Sequence, residues 1–512
     1  MNQALSFLAS RPARFRELGR RAGTLALTAL AAAVLAGCAA LGNSHSTQTV
    51  TDPATMATAQ TLPDEHGQWP TQDWVDQFRD PQLRALVDEA IKDNPSLQAA
   101  FARVEASRAM ADATRSELYP HIDFEGSLIR QRISEKDLFE GTPLAGSWQN
   151  QSRLQANLSY DFDFWGKNRD ALEAALSDDR AAEAESQASR LLLTTSIARN
   201  YARFAALYAQ RDVAERAIAQ RRDLTDLSRQ RLTAGLDTQV ETTQARGTVA
   251  AAQTDLQRVD EEIALARNQL AALLGKGPDR GLQIQRPVLL AQATPQLPDS
   301  LTIGLLGRRP DLVAARWRVE AASKDIKVAK KEFLPDLTLS AFAGLAALDP
   351  SHLLMAASRT FGVGPTLRLP IFEGGRLRAN LKGKYAGYDI AVANYNQALV
   401  DALRETADTM TSIRSVDTQI KTQREALDLA EHAYSLATMR YKAGLGTQLT
   451  VLNAESTVLQ QRRLSTDLQA RRLDLQMGLM KALGGGYQEP DEHEKGHEGE
   501  AAHNNNQAGA RG

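Results

Sequence analysis

Of the 512 residues only one is a cysteine, and its neighbours point to a definite chemistry. Cys38 closes Leu35-Ala36-Gly37-Cys38, which resembles the bacterial lipobox, where small residues admit a signal peptidase and the thiol accepts an acyl chain. Ahead of it, Arg11, Arg14, Arg16, Arg20 and Arg21 precede the apolar run from Ala22 to Val34. A basic region followed by a short apolar one is the pattern of an export signal, here residues 1–37. The competing reading is a Sec or twin-arginine signal with an incidental cysteine, although Arg20-Arg21 lacks the rest of a twin-arginine motif. A lone thiol sent to an oxidising compartment cannot form an internal disulfide. Acyl chains contribute about 0.8 kcal/mol per buried CH₂, so several of them would hold the mature chain on a membrane. A covalent lipid on Cys38 is the only prosthetic group expected.

No catalytic constellation accompanies this cysteine. Gly275-Lys276-Gly277 lacks the spacing and the following Ser or Thr of a P-loop, and no His-Glu pair has metalloprotease spacing. His493, His497 and His503 in the Glu- and Asn-rich tail, residues 485–512, could ligate a metal or simply belong to a solvated disordered segment, and no metal site is assigned to them. Lys324, Lys327, Lys330 and Lys331 read as a solvated helix face. Loss of the signal moves the net charge from −2 to about −6, which speaks against a nucleic-acid partner. The chain is expected not to be an enzyme.

The chemistry-poor remainder is dominated by two periodicities. Leu154, Ala156, Leu158, Tyr160, Phe162 and Phe164 alternate with Gln155, Asn157, Ser159, Asp161 and Asp163, the period of a strand with one oily and one wet face. A proline-free segment from Trp165-Gly166-Lys167 to about Leu232 follows with helical spacing, roughly 100 Å of helix at ~1.5 Å per residue. Its stripe of Ile197, Tyr201, Phe204 and Tyr208 packs on neighbouring helices. After the signal, no stretch offers the ~18 unbroken apolar residues of a transmembrane helix, so entry into a membrane must be by strands.

The sequence also contains a duplication. Asn94-Pro95-Ser96-Leu97 and Arg103-Val104-Glu105-Ala106 recur 215 positions later as Arg309-Pro310-Asp311-Leu312 and Arg318-Val319-Glu320-Ala321. Phe164-Trp165 matches Ile371-Phe372 at an offset of 207, which makes a hairpin of the first copy longer by eight. Ala234-Gly235-Leu236-Asp237-Thr238-Gln239 matches Ala443-Gly444-Leu445-Gly446-Thr447-Gln448 at 209. Each copy, 69–276 and 299–484, reads as helix, strand, loop, strand, very long helix, tight turn, long helix. Strands are expected near 121–130, 154–165, 336–346 and 361–372, although Pro365 and Pro370 weaken the last. The opening helix runs from about Pro81 to Glu117. Residues 38–68 form an extended segment trailing from the lipid, and 277–298 a connector. Four strands are too few to close a membrane barrel, whose minimum is about eight, so the chain must oligomerise.

At the turns, Gly235 and Gly444 supply the left-handed conformation that ends a helix. Thr238 with Glu241 has capping-box spacing, whereas Thr447 faces Thr450 and caps more weakly. Leu236 and Leu445 would be exposed at a tip, either as a docking surface or as staples of the turn.

From Trp69 to Gly484 the chain resembles the TolC-like outer-membrane efflux proteins, in particular the lipoprotein subgroup (OprM/NodT type) serving resistance-nodulation-division (RND) pumps. The resemblance rests on Trp74, Phe78, Asp80-Pro81, Leu83, Tyr119-Pro120, Asp163-Phe164-Trp165-Gly166, Phe333-Leu334-Pro335, Leu369-Pro370-Ile371-Phe372, Gly375-Arg376, Arg440-Tyr441 and the duplicated motifs above. It implies a mainly α chain with a membrane β part. Three copies would form a homotrimer with a 12-stranded β-barrel continued by a periplasmic α-helical barrel. It further implies passive conduction of drugs or other toxic compounds, with outer-membrane lipid around the barrel. The turns of Gly235, Leu236, Asp237, Gly444, Leu445 and Gly446 would then dock a periplasmic adaptor (membrane fusion) protein bound to an inner-membrane RND pump. Ala39 after the acylated cysteine favours the outer membrane. Because Gly446 stands where the first copy has Asp237, no acidic gate residue is assigned. Two alternatives stay open: an exit duct for type I protein secretion, and a non-conducting coiled-coil lipoprotein scaffold. A Cys38→Ser chain is expected to lose palmitate incorporation in metabolic labelling, and continued labelling would place the lipid elsewhere.

Overall fold

The computed structural model describes residues 45–136, 140–289 and 295–490, so the export signal, Cys38 and the tail histidines lie outside the described residues. In chain order the elements are α1 (Pro81–Asp93), α2 (Pro95–Ser116), β1 (His121–Arg132), β2 (Trp148–Asp161), α3 (Lys167–Thr233), α4 (Gln239–Leu273) and α5 (Pro278–Leu282). They continue as α6 (Leu301–Arg308), α7 (Pro310–Lys331), β3 (Asp336–Ala347), β4 (Arg359–Arg368), α8 (Arg376–Lys442) and α9 (Gln448–Ala482). The two copies match element for element: α2 and α7 have 22 residues each, α3 and α8 have 67, and α4 and α9 have 35. Among the described residues no helix is long and apolar enough to cross a membrane.

The chain divides into two compact units. The first comprises residues up to Thr49 together with Ala106–Arg180 and Trp317–Asn394. It holds one sheet, antiparallel throughout, in the order β1-β2-β3-β4. Register gathers most apolar residues on one face and most polar ones on the other, although Phe342 shares the wet-face row of Asp123, Asn157 and Gly362. One row crosses Ile122, Leu158, Ala341 and Val363, and the next crosses Phe124, Ala156, Ala343 and Phe361. On the opposite face, His121, Ser159, Ser340 and Gly364 share a row, and Glu125, Gln155, Gly344 and Thr360 share another. Ile122, Phe124, Phe361 and Val363 are all exposed, so among the described residues nothing covers the apolar face of the outer strands.

The second strand begins at Trp148, not Leu154, and ends at Asp161, not Phe164. Its first residues, Gln149, Asn150 and Gln151, are polar on both faces and give no alternation to read. At the other end, β1 runs out of partners at His121 opposite Ser159. Phe162 and Phe164 instead stack in series with Tyr160, at 5.2 and 6.0 Å between successive rings, while the Trp165 indole donates to the Pro335 carbonyl at 2.8 Å. Pro365 lies on β4, an edge strand of the sheet, where a missing donor is tolerated. The offset between copies falls from 215 to 209 within the hairpin, and positive-φ Gly166 and Gly375 precede the two long helices at that same 209 spacing. The first hairpin is therefore longer by six residues, not eight. The lysine run is not simply solvated: Lys324 meets Glu173 at 2.5 Å, Lys331 meets Asp170 at 2.7 Å, and Lys330 lies over the Tyr385 ring. These pairs tie α7 to α3 and, through Tyr385, to α8.

The second unit, Val50–Glu105, Ala181–Arg316 and the chain from Tyr395 onward, contains the main cores. Trp74 and Phe78 pack with Leu83, Leu86, Ile197, Tyr201, Phe204, Leu270 and Met477. Full burial of each large apolar side chain contributes about 1.5–3 kcal/mol. The expected single opening helix is broken at Asn94, because proline at position 95 cannot donate and pushes Asn94 into an extended conformation. Asn94 caps the second piece through Ser96 N at 2.9 Å and donates to the Leu273 carbonyl at 2.8 Å. Arg309, its duplicate, donates to the Ala482 carbonyl at 3.2 Å, which is the duplicate of Leu273. Two residue types thus do one job, tying a helix start to the end of a 35-residue helix. Arg309 is buried with Asp311 at 2.6 Å and Glu405 at 2.9 Å, and Lys481 adds 2.8 Å to Glu405.

The connector is partly helical and packed: Ile284 is buried in the main core, and Val288 N donates to Asp80 at 2.9 Å. From residue 46 to 68 the segment before Trp69 is likewise seated, not trailing. In the first unit, Asp389 of α8 accepts the Ser46 hydroxyl at 2.6 Å and Thr47 N at 3.1 Å, donors that hold its carboxyl down at about 2. In the second, Thr51 N donates to Asn396 at 2.9 Å, Leu62 is buried, and Glu65 meets Arg414 at 2.6 Å.

Arg309→Ala leaves Asp311 without its cation and Glu405 with Lys481 alone, and because both carboxylates keep access to water the loss of stability is expected to be about 1–3 kcal/mol. Burial raises the Glu405 and Asp311 pKa values, but the cations beside them outweigh it and hold both carboxyls below their ordinary range. Their stabilisation is therefore fully present above the ordinary carboxylate range and lost as pH falls through the lowered values. Thermal unfolding of wild type and Arg309→Ala compared at about pH 3 and pH 6 should show the gap closing in acid.

Candidate functional site at the paired helix turns

Both α3 and α8 end in the same six-residue geometry. Leu236 N bonds back to the Arg231 carbonyl at 2.8 Å and Gly235 N to Leu232 at 3.0 Å; Leu445 N bonds to Arg440 at 2.8 Å and Gly444 N to Tyr441 at 3.1 Å. This is the Schellman pattern, and it requires the left-handed residue that Gly235 and Gly444 supply at φ +73° and +75°. The next helix begins differently in the two copies. Glu241 accepts Thr238 N at 2.9 Å in a full capping box, which holds its carboxyl below the ordinary range, whereas Thr447 makes no side-chain cap and meets only the Thr450 hydroxyl at 3.1 Å.

Apolar side chains project from both turns. Leu236 is 63% exposed and Leu445 71%. One helical turn further on, Val240 is 68% exposed and its duplicate Leu449 59%. The residues a staple would use, at the third and fourth positions from each helix end, are Arg231 and Gln230 in the first copy and Arg440 and Met439 in the second, so Leu236 has no apolar partner there. Sequence reasoning missed Val240 and Leu449, although their 209 spacing and their place four residues after each leucine carried the signal.

Asp237 behaves differently from its neighbours. Its side chain is 8% exposed, meets Arg231 at 3.0 Å and accepts the Tyr441 hydroxyl in a very short bond. Arg231 also donates to the Tyr441 carbonyl at 3.0 Å and lies 4.5 Å from the centre of its ring. Gln448 completes the bridge by donating to the Glu241 carbonyl at 3.0 Å. Asp237 therefore clamps the first turn to the end of α8 and presents no free carboxylate. Burial, then Asp237, push the Tyr441 phenol well up, so it stays a proton donor at every physiological pH. Gly446 needs no special conformation, and a Cβ there would make ordinary contact with Arg440. Deeper in the same helix group, Glu455 is buried against Arg221 at 3.1 Å, and burial raises its carboxyl more than Arg221 lowers it.

An amphipathic antiparallel sheet and duplicated helices of 67 residues ending in paired turns define a membrane-inserted conduit protein. The outer membrane efflux protein family model matches residues 86–276 and 304–485, and the chain belongs to that family. It is 40% identical to the fusaric acid resistance protein FusA of Burkholderia cepacia over 372 residues, 71% of this chain and 70% of that one. It is 31% identical to the multidrug resistance outer membrane protein MdtP of Shigella flexneri, over 89% of this chain and 94% of the relative. Among solved structures, the outer membrane protein VceC of Vibrio cholerae superposes with a TM-score of 0.77 at 39% identity, covering 82% of this chain and all of VceC (100%). The chain is an outer-membrane efflux channel that extends into the periplasm.

Asp237→Ala removes the counter-charge of Arg231 and the acceptor of the Tyr441 hydroxyl, a loss of about 1–3 kcal/mol at the turn. Amide exchange at Leu232 to Leu236 and at Tyr441 to Leu445 is expected to accelerate together, with Tyr441→Phe giving a smaller effect. Acceleration at only one of the turns would show that the clamp does not couple them.

Proposed function

We propose that three copies close one 12-stranded barrel in the outer membrane, continued by their helices into the periplasm, and that this conduit passively passes small toxic molecules outward. The observation that carries this reading is the sheet: apolar rows that cross all four strands and lie exposed on the outer two, a mainly polar opposite face, and two unpaired edges. In hydrocarbon an open edge leaves backbone donors and acceptors unsatisfied at several kcal/mol each, so only ring closure makes such a sheet viable in a membrane. A coiled-coil scaffold would need no such sheet. The resistances for which FusA and MdtP are named, to fusaric acid and to multiple drugs, favour small-molecule cargo over secreted protein.

In this reading the tips bind the hairpins of a periplasmic adaptor that joins the channel to a resistance-nodulation-division pump. Leu236 with Val240 and Leu445 with Leu449 are the contact residues, and apolar pairs this exposed are what a docking surface presents. Energy comes from the pump; the chain supplies no chemistry. Adaptor contact beside the Arg231–Asp237–Tyr441 clamp would loosen it and widen the tip. The lipid on Cys38 holds the amino terminus at the outer membrane.

A photoreactive residue placed at Leu236 or Leu445 in cells, with the captured partner identified by mass spectrometry, tests the docking reading. Capture of an adaptor paired with a proton-driven pump supports drug efflux, capture of one paired with an ATP-driven exporter supports the secretion duct, and no capture from a well-expressed chain makes the tips turns only. Leu236→Asp with Leu445→Asp is expected to raise drug susceptibility toward that of a deletion strain while oligomer abundance stays unchanged. Full resistance in that variant would remove the leucines from the interface.

A further inference from the structure

The two outer strands, β1 and β4, each have one unpaired edge. With four antiparallel strands per copy, β4 of one copy beside β1 of the next is again antiparallel, so ring closure repeats the pairing found inside the protomer. The wet face must remain continuous across that seam, which restricts the register to steps of two. On the wet face β4 ends with Thr366 and Arg368, and β1 begins with His121, Asp123 and Glu125.

Arg368 is exposed and, among the described residues, has no hydrogen-bond or ion-pair partner. The carboxylate directly across the strand pair, Asp336, is occupied by Lys167 at 2.9 Å. Asp123 is also exposed and accepts only the Asn157 amide, at 3.0 Å through one oxygen. An uncommitted cation on one free edge and a half-committed carboxylate on the other are complementary.

Register brings them together. Extending the row through His121, Ser159, Ser340 and Gly364 to the end of β4 sets Arg368 level with position 117, in the turn after α2. A 12-stranded barrel with strands tilted by about 35–45°, spaced about 4.8 Å apart and rising about 3.3 Å per residue, staggers each protomer by roughly four to six residues. One sense of stagger would carry Arg368 into helix α2, where no strand exists. The other sets it opposite His121 or Asp123. In both cases Asp123 lies directly across or on the adjacent diagonal, within about 8 Å between Cα atoms, a distance an arginine side chain covers.

We propose that Arg368 of each protomer pairs with Asp123 of the next, forming a ring of charge locks on the wet face where the subunits meet. The pair rests on the three-copy barrel argued above. Its role is to limit the register: with Arg368 opposite position 119 or 127 the oily faces still match, but the carboxylate lies beyond the guanidinium's reach.

The test is a charge swap in the full-length protein in outer membranes. Asp123→Arg and Arg368→Asp are each expected to reduce SDS-resistant oligomer several-fold, and the double variant D123R/R368D to restore it. Disulfide trapping reads the register separately, because only directly opposed cysteines close a bond. D123C with R368C, or H121C with R368C, is expected to give covalent dimers and trimers. A double variant as weak as the singles overturns the lock, and so does trapping only at other β1 positions, while the barrel reading stands. A wild type without oligomer overturns both.

Discussion

The constraint on which the structure depends is that a sheet edge cannot be left open in hydrocarbon. Each backbone amide and carbonyl must find a partner, and lipid offers none. Four strands satisfy three seams and leave two edges bare. Both strand-to-helix junctions use a positive-φ glycine to send the chain from sheet into long helix, and a tilted aromatic series at Tyr160, Phe162 and Phe164 occupies the end of the sheet where those helices begin. Aromatic side chains at such a boundary match the girdles that flank the apolar band of membrane barrels.

The duplication solves a second problem, which is holding helices of 67 residues in register without a large core around each. The apolar clusters lie where shorter helices lean on the long ones, and polar ties fix the ends. Asn94 reaches the Leu273 carbonyl and Arg309 the Ala482 carbonyl at equivalent points of the two copies. The copies have kept the contact while changing the residue, and the cationic version has gathered Asp311, Glu405 and Lys481 around it. The seated segment from Ser46 to Glu65 adds a third kind of tie, bonded to Asp389, Asn396 and Arg414 of α8.

At the turns, stability and function occupy different side chains. Glycine conformation and the Schellman bonds build the reversal, and Arg231, Asp237 and Tyr441 lock one turn to the other from within. The leucines and their partners one helical turn on are left out of that framework. A surface so divided can yield its exposed residues to a partner without dismantling the turn itself.

Period-two alternation, long runs of helical spacing and the repeated motifs were enough to read the element order, both turns and the family resemblance from the sequence. Such features are local, or repeat at fixed spacing, and so survive in one dimension. Strand limits were less legible: Trp148 to Gln151 join β2 only because β1 is there to pair with them, and past Ser159 the strand lasts only to Asp161, held by β3 alone. The burial of Asp237 was invisible, since its clamp comes from Tyr441, 204 positions away. The seat of Ser46 on Asp389 spans 343 positions and was likewise hidden in a polar stretch that reads as loose chain. Local periodicity fixes what each segment becomes; which polar side chains are satisfied, and by whom, depends on contacts that exist only once distant segments are brought together.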